Sequence, residues 1–319
     1  MEAPELSFKH KAFLMASSVF PPLGLVIAIV ALWNKAVSWI DLAILVGFYI
    51  PIGLGLSLGF HRLLTHRAFK THKPIRFLLG ALGTMGAHGP PLIWVAHHRR
   101  HHQYADREGD PHSPHLHDGH TMRAALKGLW HAHSGWRFHM DGASNPVRYA
   151  PDILRDRGLM WLSRHYIGVT IAGVILPGLV GLAVTGTLAG AALGMLWGGL
   201  IRIFIGHHVV YAVNSLGHFI GPRRFDTRDH SRNLAFLALP TFGDSWHNNH
   251  HAFPAAAHHG MRWWELDPAA TLLKIMEARG LAWDIVRISP ERQAQRRAQL
   301  AAGTDAADQT ETALVAAGR

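Results

Sequence analysis

The sequence has no cysteine among its 319 residues. Disulfide bonds and thiolate ligands are therefore excluded, and a transition-metal site in this chain has to be built from His, Asp, Glu, Asn or water. Charged residues are also scarce, because they make up 16% of the chain against roughly a quarter of a typical soluble domain. With apolar residues at 49%, this scarcity favours a membrane protein.

Histidine and the basic residues are abundant instead. The chain has 26 histidines, and its formal net charge is +10. The basic residues lie outside the long apolar runs, which is typical of a protein on an anionic membrane face. We therefore predict membrane lipid, and no nucleic acid, as a partner.

Four apolar runs are long enough to cross a bilayer, which takes about 20 residues of helix. They cover residues 13–33, 41–60, 167–188 and 191–213. A further apolar stretch, residues 77–96, is broken by glycine and proline, and we predict for it a helix buried in protein or lying at the interface. Arg202, inside the last run, is either a functional charge or a residue that faces water near the interface.

The basic residues also predict an orientation. They cluster near the N-terminus, in the central region and over residues 223–232, whereas the short links between runs carry only Lys35. By the positive-inside rule, both termini and the histidine-rich regions are then cytoplasmic. The expected location is the bacterial inner membrane.

These observations predict an all-α integral membrane fold with four transmembrane helices. A cytoplasmic helical cap, formed by residues 61–165 and 214–290, would carry the histidines and includes an amphipathic helix over residues 263–280. Residues 1–290 would form a single domain, and residues 291–319 a polar tail.

Three histidine boxes and one shorter element carry the chemistry. The boxes are HRLLTH from His61 to His66, HRRHH from His98 to His102 and HNNHH from His247 to His251, and the element NSLGH ends at His218. Because helical residues advance by about 100° each, the three histidines of an HxxHH box lie on one arc of a helix. Such an arc is a metal-ligand arrangement.

The nine histidines in these elements suit two metal ions, because a single structural zinc is satisfied by four ligands. Adjacent histidines within a box are rotated by about a third of a turn, so that they can serve different ions. Imidazole binds iron, copper, zinc and nickel, and the ligand type alone leaves the ion open.

The boxes, in this order and with apolar runs before the first and the third, resemble the membrane fatty acid desaturases of the stearoyl-CoA and bacterial acyl-lipid delta-9 group. The resemblance spans His61 to Asp284 and includes the segments HRLLTHRAFK, GDPHSP, HSGW, NSLGH and HNNHHAFP followed by WWELD. It implies an enzyme with two iron ions that uses O2 and two external electrons to introduce a cis double bond into a saturated acyl chain, most commonly at position nine. The metal ligands that it implies are His61, His66, His98, His101, His102, His218, His247, His250 and His251, with Asn214 holding a water at one iron.

The resemblance also bears on partners. No HPGG heme-binding segment is present, which implies a separate electron donor, a ferredoxin or a cytochrome b5-like protein, with its reductase. Animal acyl-CoA desaturases have a basic and an acidic residue directly before the second box, where this chain has Ala96 and His97. The substrate is therefore either an acyl-lipid or an acyl-CoA.

Two alternative functions remain at this point. A related di-iron hydroxylase shares the boxes and differs in how the substrate carbon is presented. A histidine-rich metal transporter would place its ligands at mid-membrane depth, whereas the boxes follow the apolar runs at one face.

The other polar residues near the boxes have plainer predicted roles. We predict that neighbouring histidines outside the boxes are not ligands: His88, His97, His112, His115, His117, His120, His131, His133, His258 and His259. Carboxylates that either orient ligand imidazoles or simply face solvent are Asp106, Asp110, Asp244 and Glu265. A solvated helix face is predicted for Arg99 and Arg100, and a place at the membrane interface for Trp94, Trp136, Trp263 and Trp264.

Overall fold

A computed structural model describes residues 37–116, 121–139 and 144–299, together with residues 20, 22–28, 30 and 32. Most of the predicted first span, residues 13–33, lies outside the described residues, as do most of the polar tail and the two histidines His117 and His120. Those predictions stay predictions.

The described part is mostly helical. Its α-helices are α1 (Trp39–Leu54), α2 (Lys73–Met85), α3 (Pro91–Tyr104), α4 (Met122–His133), α5 (Pro146–Tyr149), α6 (Pro151–Arg155), α7 (Arg157–Arg164), α8 (Tyr166–Thr185), α9 (Leu188–Gly194), α10 (Arg202–Ser215), α11 (His247–Ala252) and α12 (Pro268–Ala278). Two π-helical stretches, Gly55–Thr65 and Met195–Ile201, continue α1 and join α9 to α10. Short 3-10 turns cover Gly135–His139, Leu216–His218 and Ala235–Leu237, and strands β1 (Lys70–Thr71) and β2 (Ala282–Trp283) form one antiparallel pair.

Three helices of the described part are long and apolar enough to cross a membrane: Trp39–Thr65, Tyr166–Thr185 and Leu188–His218. They correspond to the second, third and fourth predicted spans, with shifted ends. The first and the last of the three extend further towards the C-terminus than predicted. His61 and His218 therefore lie within these helices and not in loops after them. The middle one stops before Gly186, whose φ of 68° is a left-handed conformation that glycine adopts without strain.

Local sequence explains how the first of these helices begins and packs. Ser38 caps α1, since its hydroxyl accepts the Asp41 N–H at 3.2 Å while the Asp41 carboxylate accepts the Ser38 N–H at 3.1 Å. Further along, a Cβ added to Gly55 would lie 2.4 Å from the backbone nitrogen of Gly83. The π-helical stretch and α2 are therefore in backbone contact, which only small residues permit.

The main apolar core lies where the π-helical stretch after α1 meets α3, α7 and α12. Leu58, Phe60, Val95, Leu162 and Leu273 each have no exposed surface there. Because the first two histidine boxes lie on the elements that form this core, their backbones are held on a packed base.

Two helix predictions need correction. The stretch 77–96 forms parts of two helices, α2 and α3, with a break between them, and neither is among the candidate spans. The amphipathic helix predicted over 263–280 begins only at Pro268, because Asp267 caps it by accepting the Ala270 N–H at 2.9 Å and proline belongs at a helix start.

Arg202 faces neither water nor a carboxylate. It is 2% exposed, and its guanidinium donates to the carbonyl oxygens of Gly198, Met85 and Gly173 at 2.9 to 3.0 Å. This side chain therefore ties three helices together within the apolar region.

Candidate metal centre

The nine histidines predicted as ligands divide into two groups whose ring nitrogens converge to within 4.8 Å of one another. Cluster A contains His61, His66, His98, His102 and His250. Cluster B contains His101, His218, His247 and His251. Each cluster draws on at least two of the boxes, so the folded chain builds two adjacent sites where a metal ion can bind.

The spacing within the clusters is informative about geometry. In cluster A, Nε2 of His250 lies 3.0 Å from Nε2 of His61 and 2.9 Å from Nε2 of His102. In cluster B, the Nε2 atoms of His218 and His247 are 2.9 Å apart. Nitrogens that hold one ion at about 2.1 Å are about 3.0 Å apart at a right angle and about 3.4 Å apart at a tetrahedral angle. The ring nitrogens of each cluster are thus close enough together to bind one ion.

Several ring nitrogens in the clusters are buried and form no hydrogen bond with the described part of the chain. Nε2 of His66, His101 and His251 is buried and has no hydrogen-bond partner in the described part of the chain. A buried polar atom without a partner is costly, and one metal ion in each cluster would satisfy these three nitrogens.

Burial also keeps four of the ligand rings neutral. Loss of hydration lowers the pKa of His98, His102 and His250 in cluster A well below the usual range. It does the same to the pKa of His247 in cluster B. Because a metal binds the neutral imidazole, these four rings are ready to bind an ion at physiological pH.

The π-helical stretch explains how the first box contributes two ligands. His61 and His66 are five residues apart, and in an α-helix five residues turn through about 140°, so that the rings would diverge. In a π-helix, residues five apart are joined by a hydrogen bond, and the His66 N–H donates to the His61 carbonyl at 3.2 Å. The two ring centroids are consequently 5.0 Å apart in the same cluster.

The HxxHH boxes serve both clusters. His101 belongs to cluster B and its neighbour His102 to cluster A, while His250 belongs to cluster A and His251 to cluster B. This division follows from the rotation between adjacent helical residues, which the sequence pattern predicts. The second box lies on α3 and the third on α11, so each of these helices forms a wall between the two sites.

Carboxylates orient three of the four rings in cluster B. The carboxylate oxygens of Asp110, Asp106 and Asp229 lie 2.9, 2.7 and 2.9 Å from Nδ1 of His101, His218 and His251, respectively. Each carboxylate accepts the Nδ1 proton, which leaves the Nε2 lone pair free for the metal. For Asp106 and Asp110 the sequence left an orienting role and plain solvation open, whereas Asp229 was missed because it lies in a loop with no local pattern.

Among the described residues, cluster A has a single such carboxylate, Asp244. It lies 3.2 Å from Nδ1 of His61 and 3.2 Å from Nδ1 of His259, and it accepts a hydrogen bond from Ser57 at 2.8 Å. Glu265 does not contact a ligand ring. It accepts from the Asn249 side chain at 2.9 Å, so that it holds the helix of the third box instead.

Arg62, next to a predicted ligand, was not singled out by its sequence. It is fully buried and forms ion pairs with Asp244 at 3.1 Å and Asp267 at 2.9 Å. It also donates to the carbonyl oxygens of Ala257 and Phe242. Arg62 therefore joins the first box to the segments that surround the third.

The prediction for Arg99 was wrong. Its guanidinium pairs with Asp152 at 2.6 Å and donates to the carbonyls of Leu64 and Thr65 at 2.7 and 2.9 Å. These carbonyls end the π-helical stretch, where no backbone partner follows in the helix. Arg99 thus docks the second box onto the first.

Two histidines predicted not to be ligands lie directly beside the clusters. The ring of His112 stacks on His101 with centroids 4.2 Å apart, and the ring of His259 lies 4.5 Å from that of His250. Other such histidines bind protein groups: His115 bonds the His218 carbonyl at 2.7 Å.

A cavity of about 1510 Å³, its opening to solvent included, reaches both clusters. His61, His98 and His247 lie on its wall together with Asn214, and apolar side chains such as Ile52, Leu56, Ile93, Val209 and Val210 line the rest. Trp94 and Trp136 also line it, and their place at the membrane interface stays a prediction. Trp263, in contrast, is 96% exposed.

The metal-free protein is expected to lose stability as the pH falls from about 6.5 towards about 4. Burial lowers the pKa of His251 and of His259 to about 4, while in the unfolded chain imidazole titrates near 6.5. In this window the unfolded state binds protons that the folded state does not, so the stability present above pH 6.5 is lost on acidification. Thermal unfolding of chelator-treated protein across this range tests the prediction, and a flat profile would contradict it.

Comparison with known proteins agrees with the site. Residues 36–286 match the model of the fatty acid desaturase family. A hex-5-enoyl-[acyl-carrier protein] acetylenase from Moorena producens is 41% identical over 281 residues, which are 88% of this chain and 86% of that protein. An sn-1 stearoyl-lipid 9-desaturase from Anabaena variabilis is 36% identical over 78% of this chain and 85% of its own length. Delta-9 acyl-lipid desaturase 1 from Arabidopsis thaliana is 33% identical over 82% and 80%.

Proposed function

Because the chain belongs to the fatty acid desaturase family, and is thus an oxidoreductase acting on fatty acyl chains, we propose that it introduces a cis double bond at position nine of a saturated acyl chain. The observation that carries the proposal is the apolar cavity with His61, His98 and His247 on its wall. An extended acyl chain in this cavity would lie beside both clusters. The names of the stearoyl-lipid 9-desaturases among the relatives support the position of the bond.

We assign two iron ions to the clusters, with the nine histidines as ligands and Asn214 holding a water beside cluster B. When bound, the two irons would supply the oxidising power for C–H cleavage from O2 and two external electrons, since no side chain here can oxidise an unactivated C–H bond. Overall, –CH2–CH2– with O2, two electrons and two protons would give –CH=CH– and two waters. The convergence of the nine histidines into two groups supports two ions, and imidazole is a ligand that suits iron.

The chain's own residues would bind and shield the substrate. The apolar wall excludes water from the reacting carbons, which protects a strong oxidant from side reactions. Trp94 stacks on His98 with centroids 4.9 Å apart, and it thereby fixes one of the three ligand rings on the cavity wall. Asp106, Asp110 and Asp229 hold the rings of cluster B in a metal-binding orientation.

A lipid-linked acyl group is the carrier that we favour over CoA. Ala96 has no exposed surface, so no polar group at this position reaches a CoA moiety. His97, the other residue in question, is held by a 2.8 Å hydrogen bond to Ser144. The electron donor would be a separate ferredoxin or cytochrome b5-like protein.

We propose four spans, with the clusters, the cap and both termini on the cytoplasmic side and residues 1–290 as one domain. Cluster residues His61 and His218 lie at the C-terminal ends of two candidate spans, and Tyr166 on the cavity wall begins the third. One end of all three candidate spans thus faces the site. A metal site at the ends of the spans supports an enzyme whose substrate enters from the bilayer. A transporter would instead have its ligands at mid-membrane depth.

Expression in a desaturase-deficient bacterial host tests the function. We expect a monounsaturated fatty acid with its double bond at position nine in the host lipids, and its absence with His101→Ala, which removes a cluster B ligand. Gas chromatography with mass spectrometry of the fatty acids locates the bond. An alcohol or an alkyne in place of the alkene, or full activity of His101→Ala, would overturn the proposal.

A further inference from the structure

Helix α4 (Met122–His133) has its large apolar side chains on the outside. Met122, Leu126 and Trp130 follow at intervals of four residues and so share one face, and they are 76%, 60% and 62% exposed. The residues that α4 buries are small, Gly128 and Ala132. This pattern is the reverse of an amphipathic helix on a water-soluble surface, which buries its large apolar residues.

Packing explains the small residues. A Cβ added to Gly128 would lie 2.0 Å from the carbonyl oxygen of Pro114, so that a larger side chain cannot turn inward. The helix is also fixed at its ends. Thr121 caps it by accepting the Ala124 N–H, and His133 contacts Ser215 and His208 on α10 at 3.1 and 2.9 Å.

A cationic strip runs beside the apolar face. Arg123 and Lys127 each follow an apolar-face residue, about 100° further around the helix, and both are exposed. Neither forms a salt bridge within the described part of the chain. Two exposed cations next to a Trp-containing apolar face are typical of a helix that lies in the headgroup region of an anionic bilayer.

We infer that α4 lies in the bilayer interface, with Met122, Leu126 and Trp130 among the acyl chains and Arg123 and Lys127 at anionic headgroups. Its contact with α10, part of a candidate span, makes the face continuous with the lipid-facing surface of that span. Trp136 and Arg137, shortly after α4, line the cavity. The helix therefore holds this part of the cavity wall at the level of the bilayer interface, where a lipid-linked acyl chain would enter. This consequence rests on the proposed function.

The absence of cysteine allows a direct test by spin labelling. A single nitroxide is attached to full-length Leu126→Cys or Trp130→Cys. The controls are Lys127→Cys, one residue after Leu126, and Arg123→Cys, one turn earlier on the cationic strip. The proteins are reconstituted in vesicles of phosphatidylcholine and phosphatidylglycerol. Collisions with O2, which concentrates in the hydrocarbon, are compared with collisions with a water-soluble nickel chelate.

We expect an O2-to-chelate collision ratio several-fold higher at residues 126 and 130 than at 123 and 127. Equal ratios at all four positions would place the helix in water and overturn the inference. Spin–spin broadening at residue 126 would also overturn it, since the face would then meet a second copy of the chain. This measurement needs no turnover, so it stands even if no alkene is formed.

A kinetic measurement addresses the consequence for substrate entry. With acyl-lipid presented in vesicles, Leu126→Gln/Trp130→Gln is expected to raise KM several-fold while kcat changes by less than twofold. The same variant should behave like the parent with substrate in detergent micelles. An unchanged KM in vesicles would remove the link to substrate entry, and the double-bond assay would be unaffected.

Discussion

Replacing Arg62 with alanine is expected to lower the free energy of unfolding by about 3–5 kcal/mol, the usual cost of removing one partner of a buried ion pair. The fully buried guanidinium pairs with Asp244 and Asp267, and without it both carboxylates would be left without their cation in the interior. Asp244 also contacts Nδ1 of His61, so cluster A should bind metal more weakly as well. Denaturation in detergent micelles and metal analysis measure the two effects.

Lys70→Ala is the matched control, because it also removes a cation from a carboxylate. Lys70 pairs with Asp284 at 2.8 Å, but the two side chains are 68% and 61% exposed. The change in unfolding free energy should therefore be at most about 1 kcal/mol. Equal destabilisation by the two variants would show that the buried ion pairs of Arg62 stabilise the fold no more than an exposed ion pair does. Arg62→Lys should recover only part of the loss, since an ammonium cannot reproduce the guanidinium's fork of hydrogen bonds.

Asp229→Asn is expected to weaken metal binding at cluster B by about 10- to 100-fold, the typical cost of losing a carboxylate behind a ligating imidazole. The carboxylate accepts from Nδ1 of His251 at 2.9 Å, and a neutral amide would hold that ring less firmly. Cluster A should be unaffected, because Asp229 forms no ion pair or hydrogen bond with any of its members in the described part of the chain. Metal titration of the purified protein should then resolve one strong and one weakened site.

Asp226→Asn serves as the control for this prediction. Asp226 lies three residues earlier in the same loop and belongs to none of the metal-competent groups in the described residues. Its replacement should leave both sites intact. If Asp226→Asn and Asp229→Asn weakened metal binding equally, the effect would come from the loop as a whole and not from the bond to His251.

The positions of the ligand-type residues follow from local pattern alone. The HxxHH spacing predicts that the three histidines of the second box lie on one arc of α3. The rotation between His101 and His102 predicts that they serve different ions, and the two residues do belong to different clusters, B and A. The apolar runs likewise predict the spans over 167–188 and 191–213 to within a few residues, because a bilayer requires an uninterrupted apolar helix.

Other features depend on contacts that no local pattern records. The HRLLTH box needs a π-helix to bring His61 and His66 together, whereas its spacing on an ordinary α-helix separates them. Asp229 and Arg62 resemble any loop carboxylate and any basic residue until the fold brings them to His251 and Asp267. The cavity, too, is formed by side chains from distant segments.

The sequence by itself thus determined which chemistry this protein carries: nine imidazoles without a thiol, on helices beside apolar spans. Only the tertiary structure decided which boxes meet in each of the two sites. His61 meets His250 across 189 residues, and His218 meets Asp106 across 112. Ligand identity is a property of single residues and their helical spacing, but the distance between two nitrogens depends on how every intervening segment packs.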